Sequence, residues 1–268
     1  MNKKESKLIY LIFIFLIFIF SFFYFVNLKE NRAQVIFCNV GQGDGILIKD
    51  GEEEIVIDAG PANSQMKRCL EKFLSFNDKK IEKVIASHYD SDHIGGFKEI
   101  FENYEIGEVY GLGGSVKETK TYADFEEMLK RIGKIEQKLV YGMIIGTTNA
   151  KLKVLYPFYD SLPSNNFSVV LKLNYLGKSF LFPGDLEIDG WKDLVNHFLD
   201  LRSDILKVSH HGSKNGTNEE IIKKIRPKEA VISVGKNSYG HPHPEVLKIL
   251  TDNKIVIRIT EKEGDVVY

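Results

Sequence analysis

The stretch "IASHYDSDHIGG", residues 85–96, sets His88, Asp90, Asp92 and His93 within six positions, between an apolar run and a glycine pair. Imidazole nitrogen and carboxylate oxygen are ligands of zinc and of harder divalent ions. A solvated turn uses Asp and Ser, but it has no need of two flanking histidines. Four such groups exceed what one tetrahedral ion with an open position takes, and they fit two ions that share a bridge. Two more clusters close strand-like runs far along the chain: Asp185 in "FLFPGD", and His210 with His211 in "ILKVSHHGS". Each alone has an ordinary reading, a helix cap for Asp185 and a polar loop for the histidine pair. Three clusters at strand ends in one domain point instead to a metal site, because loops leaving a sheet converge.

The elements that must position these groups are legible from Ala33 onward. "QVIFCNV", "GILIKD" and "EEIVIDAG" read as short strands separated by "GQGDG" and "GEEE" turns. "NSQMKRCLEKFLSF" spaces Met66, Cys69, Leu70, Phe73 and Leu74 as one helix face. The strand "EKVIAS" delivers the metal-binding stretch, followed by a helix in "GGFKEIFENY", a strand in "IGEVYG" and a helix in "TYADFEEMLKRIG". "KLVYGMII", "AKLKVLYP", "SVVLKLNYLG" and "KSFLFPGD" form a strand-rich block, after which helices and strands alternate to the final "KIVIRIT" and "DVVY". Two similar halves of this kind predict two sheets packed face to face with helices outside.

The chain has 268 residues, 43% hydrophobic and 27% charged, which supports a packed core and argues against global disorder. A net charge of −1 supplies no bulk basic field for nucleic acid, although it says nothing about local patches. Cys38 and Cys69 lack metal-ligand spacing and lie in apolar patterns. They are expected to be small buried hydrophobes, a single disulfide being the alternative.

Leu8 to Val26 carries no charge over 19 residues. As a helix it would span about 28 Å, close to the hydrocarbon thickness. No convincing cleavage site follows, so an uncleaved anchor is expected rather than a removed signal. Lys3, Lys4 and Lys7 precede the run and Lys29 and Arg32 follow it, which places the N-terminus in the cytoplasm and the rest outside. The expected organisation is a cytoplasmic tail over 1–7, a transmembrane anchor over 8–26, a linker over 27–33 and a metal-binding domain over 34–268.

"HYDSDHIGG" matches the His-x-His/Asp-x-Asp-His signature of the metallo-β-lactamase superfamily. "VIFCNVGQGDGILI", "EIVIDAG", "NNFSVVLKL", "LFPGDLE", "LKVSHHGS" and "SVGKNSYGHPHPEVL" resemble, in the same order, the extracellular metallo-hydrolase domain of ComEC-type competence DNA-uptake proteins, over roughly residues 34–268. The resemblance implies an α/β (α+β) four-layer αββα sandwich holding two divalent ions, Zn2+ or Mn2+. Carried over by position, His88 and Asp90 serve one ion, Asp92, His93 and His210 the other, and Asp185 bridges. The histidine that many relatives place between the halves is replaced here by "SNNFSVV", and Asn39 stands where relatives have Asp, a change expected to loosen ligand orientation. Two dications facing Asp90, Asp92 and Asp185 leave a local charge of about +1, which suits an anionic substrate. The channel half of ComEC-type proteins is not seen, so a membrane-tethered, stand-alone hydrolase is expected.

The resemblance implies phosphodiester hydrolysis, with DNA the leading substrate. Water activated by such a centre ionises near neutral pH, with a pKa of about 7 instead of 15.7. Asp92, His211 and His241 are the expected catalytic groups, and Asn166, Ser168 and His241 the expected substrate contacts, with satisfaction of loop backbone the equal alternative for Asn166 and Ser168. His243 is expected to be structural. "GQGDG" either lines the site with backbone amides or forms a tight hairpin beside it, with Asp44 bonded to a ligand histidine. Expected partners are nucleic acid, the membrane through the N-terminal helix, and DNA-uptake or envelope proteins. The alternatives are a hydrolase of a small ester, lactone or cell-surface phosphoester, and a weakened binding module of an envelope assembly.

Overall fold

Among the described residues, the apolar periodicity of the chain folds into two seven-stranded sheets. The computed structural model describes residues 10–21, 33–114, 119–158, 168–197 and 200–268. The first sheet contains β1 (Gln34–Phe37), β2 (Gly45–Asp50), β3 (Glu53–Ala59), β4 (Lys80–Ile85), β5 (Glu105–Gly111) and β6 (Glu136–Lys138). The terminal strand β14 (Val266–Val267) pairs antiparallel with β1 at the edge. The second sheet contains β7 (Ile144–Gly146), β8 (Lys151–Tyr156), β9 (Val170–Tyr175), β10 (Lys178–Phe182), β11 (Ile205–Lys207), β12 (Glu229–Ile232) and β13 (Val256–Ile259).

Side-chain alternation assigns the layers. In β10, Phe182 meets Phe37 of the first sheet, ring centroids 5.9 Å apart. Leu181 points the other way, into a cluster with Trp191, Leu194, Ile221 and Val246. Those residues belong to α6 (Ile188–His197), α7 (Glu219–Ile225) and α8 (Pro244–Asp252). On the far side, α2 (Gln65–Phe73), α3 (Ser91–Ile94), α4 (Phe97–Asn103) and α5 (Lys120–Arg131) accompany the first sheet. Their Met66, Leu70, Phe97, Ile100 and Phe125 join its core. All six residues of β2 are buried, as expected of a strand covered on both faces.

The site depends on parallel pairing. β3 runs parallel to β4, and β10 to β11 and β12. Their C-terminal ends therefore open toward one edge, where ligand sites of such sheets form. "KLVYGMII" does not make one strand. The chain leaves the first sheet after β6, turns at Gly142 with φ +85°, and enters the second at β7.

Two expectations change. Cys38 and Cys69 are joined in a disulfide, Cα–Cα 5.9 Å and 31 residues apart, so they are not merely apolar filler. The hairpin of β2 and β3 brings the exit of β1 beside α2, a proximity that sequence spacing does not reveal. The chain also divides into two compact units, Met1–Arg32 and Ala33–Tyr268. In the first, the described helix α1 covers only 10–21, about 18 Å of rise. Among the described residues no helix is long and apolar enough to cross a membrane. The anchor expected over 8–26 is thus unsupported, and the remainder of that run lies outside the described residues.

Asp50, at the end of β2, ties the sheets together. Its carboxylate accepts from the Thr147 hydroxyl at 2.6 Å, the Asn149 backbone N–H at 2.6 Å, Asn149 Nδ2 at 2.9 Å and the Tyr175 hydroxyl at 2.8 Å. Burial disfavours its charge, but these donors prevail and hold its pKa below the ordinary carboxylate range. A lowered native pKa stabilises the fold above the unfolded value near 3.9, and that stability fades as pH falls. Asp50→Asn should therefore cost about 2–3 kcal/mol at pH 7. In thermal melts the gap from wild type should narrow by pH 3, and an equal gap at both pH values would refute the role.

Candidate metal centre

Three buried histidines present the same nitrogen to one space. His93, on α3, is fully buried, and its Nδ1 donates to Asp58 Oδ2 at 2.9 Å. His211 Nδ1 lies 2.9 Å from the Ser233 carbonyl oxygen, which can only accept. His88 Nδ1 is 3.1 Å from Ser87 Oγ. That hydroxyl already donates to Asp58 Oδ2 at 2.6 Å, so it accepts from His88. Three different partners thus fix one tautomer, with the proton on Nδ1 and the lone pair on Nε2. All three Nε2 atoms are buried and lack a hydrogen-bond partner, as does Asp185 Oδ1.

The separations between these atoms suit a shared cation. His93 Nε2 is 3.3 Å from Asp185 Oδ1. His211 Nε2 is 3.3 Å from both Asp92 Oδ2 and Asp185 Oδ2. Ligand bonds of about 2.1 Å in a tetrahedron put neighbouring donor atoms roughly 3.4 Å apart. His88 Nε2 faces the more exposed Asp90 Oδ2 at 3.7 Å. The ligand atoms of His88, His93 and Asp185 all lie within 4.8 Å of one another, as do those of Asp92, His93 and His211. The donor set is therefore that of a site for one or two borderline-to-hard divalent ions, which the chain's own residues fit.

Electrostatics make the same demand. Burial disfavours charge on His93, yet Asp185 and Asp58 outweigh it and raise its pKa well above the ordinary value. Burial likewise opposes charge on His211, and Asp185 and Asp44 overcome it. For Asp185, burial is opposed by His211, His93 and Lys207, which hold the carboxyl well below its usual range. The cavity calls for positive charge, which either protons or a cation can supply. Lys207, on β11 and almost wholly buried, supplies part of it. Its ammonium pairs with Asp44, lies 3.5 Å from Asp185 Oδ1 and donates to the Gly184 carbonyl at 3.1 Å.

The site includes strained backbone. Asp58, His210 and His211 all adopt left-handed φ values, 56°, 50° and 53°. Such residues cost roughly 1–2 kcal/mol each unless the surroundings impose them. The "GQGDG" segment is a hairpin support. Asp44 N–H donates to the Asp92 carbonyl at 3.1 Å, and Gly60 N–H to the Asp44 carbonyl at 2.7 Å. At Gly43, with φ +140°, a Cβ would stand 2.2 Å from the Asp92 carbonyl oxygen.

The expected site residues are not all gathered as anticipated. His88, Asp92, His93 and Asp185 converge, and Asp90 borders them. His211, expected as a proton donor, sits among the ligand atoms, whereas His210 Nε2 is 3.8 Å from Asp185 Oδ2 and its Nδ1 faces Glu187 at 3.4 Å. Ser168 is buried, its Oγ 3.3 Å from His88 Nδ1 and accepting from Asp185 N–H at 2.9 Å, so it braces two site residues instead of facing a substrate. Asn166 lies outside the described residues. His241 is held below its ordinary pKa by burial and by His210 and His211, which disfavours its protonated, acid form. His243 caps α8, its Nδ1 accepting from Glu245 N–H at 3.3 Å. Asn39 Oδ1 accepts from Gly41 N–H at 3.3 Å, a local turn rather than a bond to a ligand. Asp58, Ser87, Ser233 and Lys207 join the site outside the expected set. The signal for Lys207 was a lysine in a buried strand three residues before the histidine pair.

The profile of the metallo-beta-lactamase superfamily matches residues 38–236. The chain is 30% identical over 257 residues to ComE operon protein 3 of Bacillus subtilis (strain 168), covering 89% of this chain and 33% of that protein. It is 25% identical over 243 residues to Competence protein ComA of Neisseria gonorrhoeae, covering 88% and 32%. The chain thus spans about a third of the length of these curated relatives. Among solved structures it is similar to the metallo-beta-lactamase fold protein YhfI from Bacillus subtilis, with TM-score 0.60 and 13% identity, over 88% of this chain and 99% of that one.

Gly43→Ala should displace Asp92 without removing any ligand. Affinity for Mn2+ or Zn2+, read by calorimetry on the stripped protein, should fall about 10–100-fold. Unchanged affinity in a folded variant would refute the supporting role of the hairpin.

Proposed function

The chain belongs to the metallo-β-lactamase superfamily, and from that premise we propose that it hydrolyses phosphodiesters, with nucleic acid as the substrate. The observation that carries the hydrolase reading is the set of three inward Nε2 atoms without partners, facing Asp92 and Asp185. Similarity to competence proteins supports nucleic acid.

In this reading His88, Asp90, Asp92, His93, Asp185 and His211 would hold the one or two ions, with His210 at the rim. Including His211 among the ligands departs from the positional carry-over and rests on its 3.3 Å approaches to Asp92 and Asp185. Divalent ions in such a centre supply Lewis acidity, activating water and stabilising charge on phosphoryl oxygens. The protein's part is orientation. Asp58, Ser87 and Ser233 fix the imidazoles, Ser168 braces His88 and Asp185, and Lys207 and Asp44 anchor the floor.

Charge bears on the alternative. Asp44, Asp58, Asp90, Asp92 and Asp185 against Lys207 leave four negative charges, which two dications cancel. The +1 expected from three carboxylates alone therefore does not survive the structure. Attraction of an anion must come from direct ligation and from cations at the rim, and a hydrolase of a small ester, lactone or cell-surface phosphoester is the second reading. Placement outside the cell is supported by the Cys38–Cys69 disulfide, since such bonds persist in oxidising compartments. Tethering to a membrane rests only on the uncharged sequence over 8–26.

The test uses the full chain, stripped of metal and titrated with Mn2+ and Zn2+ against single-stranded DNA and bis-p-nitrophenyl phosphate. Cleavage of both should depend on metal and fall at least about 100-fold in Asp92→Ala, since even outer partners of a ligand cost 10–100-fold. Cleavage of the reporter alone supports a small phosphoester over nucleic acid, and no turnover of either substrate with either metal overturns the phosphodiesterase reading.

A further inference from the structure

Beyond the metal ligands, a row of aromatic rings leads outward. His211 lies 6.1 Å from His210, His210 lies 5.7 Å from His241, and His241 lies 5.8 Å from Tyr239, centroid to centroid. At the outer end Tyr239 is 73% exposed. Its ring is tilted only 32° from that of His241.

The loop that carries this ring is held rigidly. Asn237 Oδ1 accepts from Tyr239 N–H at 3.0 Å and from His241 N–H at 3.1 Å. Asn237 Nδ2 donates to the carbonyls of Gly235 at 2.9 Å and His241 at 2.8 Å. One end of the loop is pressed onto the "GQGDG" hairpin, where a Cβ on Gly235 would sit 2.5 Å from the Gly41 carbonyl carbon. The other end is pinned to the histidine turn, His243 N–H donating to the Gly212 carbonyl at 2.8 Å. An aromatic ring with so much surface in water, on a braced loop linked to the site's histidines through His241 and His210, is pre-organised to receive a flat partner at little entropic cost. Lys236 on the same loop and Lys214 on the neighbouring turn are exposed, and among the described residues neither forms an ion pair. Exposed aromatic and basic groups together are what single-stranded nucleic acid uses, bases stacking while the backbone follows the cations.

We propose that Tyr239 is a specificity-determining residue that stacks an unpaired base next to the scissile phosphate, with Lys236 and Lys214 contacting the flanking backbone, so that the site selects single strands. The inference rests on the nuclease reading and deepens it, because a paired duplex buries the base faces that the ring requires.

The experiment compares wild type, Tyr239→Ala and Tyr239→Trp in the manganese-loaded full chain. The substrates are a single-stranded oligothymidylate, an abasic oligomer of equal length, and a duplex. Tyr239→Ala should raise KM for the oligothymidylate about tenfold, in line with the loss of one base–aromatic stack, with much less effect on the abasic oligomer. Tyr239→Trp should restore the wild-type KM, and binding of the labelled oligothymidylate without metal, by fluorescence anisotropy, should weaken in parallel in Tyr239→Ala. Wild type that cuts the oligothymidylate while Tyr239→Ala leaves its KM unchanged, or raises KM equally for the abasic oligomer, overturns the inference alone. Wild type that cuts no nucleic acid overturns the nuclease reading and this inference with it.

Discussion

Buried imidazole nitrogens that cannot satisfy one another are the constraint around which the domain is organised. The Nε2 atoms of His88, His93 and His211 are removed from water and left without hydrogen-bond partners. Buried unpaired polar atoms of this kind are costly, and a fold keeps them only where something else is to occupy the gap. The opposite edge of each ring is then closed off by a dedicated acceptor, Asp58, Ser87 or the Ser233 carbonyl. Because those acceptors come from β3, the end of β4 and the end of β12, both sheets must close before the three rings share a centre.

Lys207 shows how the fold tolerates so much acid in one place. Burial disfavours its ammonium, but Asp44 and Asp185 more than compensate and raise its pKa. Breaking a buried pair of this kind is far more damaging than never having built it. The lysine therefore commits Asp44 and Asp185 to ionised, oriented states. This also explains why a count of Asp90, Asp92 and Asp185 alone misjudges the field, since Asp44, Asp58 and Lys207 belong to the centre as well.

Much of the centre was legible in the sequence because its ligands stand at strand ends, and strand ends are marked by apolar runs breaking into glycine. The strand "EKVIAS" and its polar exit appear as β4 and α3 where the pattern puts them. The histidine pair was harder to read. Two consecutive left-handed residues turn His211 inward and His210 toward the rim, and nothing in "SHHGS" announces that backbone. For Ser168 the sequence leaves two roles open, because polarity alone does not distinguish a substrate contact from a group that satisfies loop backbone, and the structure shows the second in its bond from Asp185 N–H. The disulfide and the edge strand β14 both depend on which distant segments become neighbours, information held in the topology rather than in local periodicity.

The edge strand has its own architectural meaning. Val35 N–H donates to the Tyr268 carbonyl at 3.0 Å, and Tyr268 N–H returns a bond to the Val35 carbonyl at 2.9 Å. The points where the polypeptide enters and leaves this body are thus zipped side by side. A unit closed in that way can be spliced into a larger host like a bead whose two threads emerge through one hole, because neither flank has to travel across it. The geometry accords with relatives in which the matching region makes up only about a third of the protein.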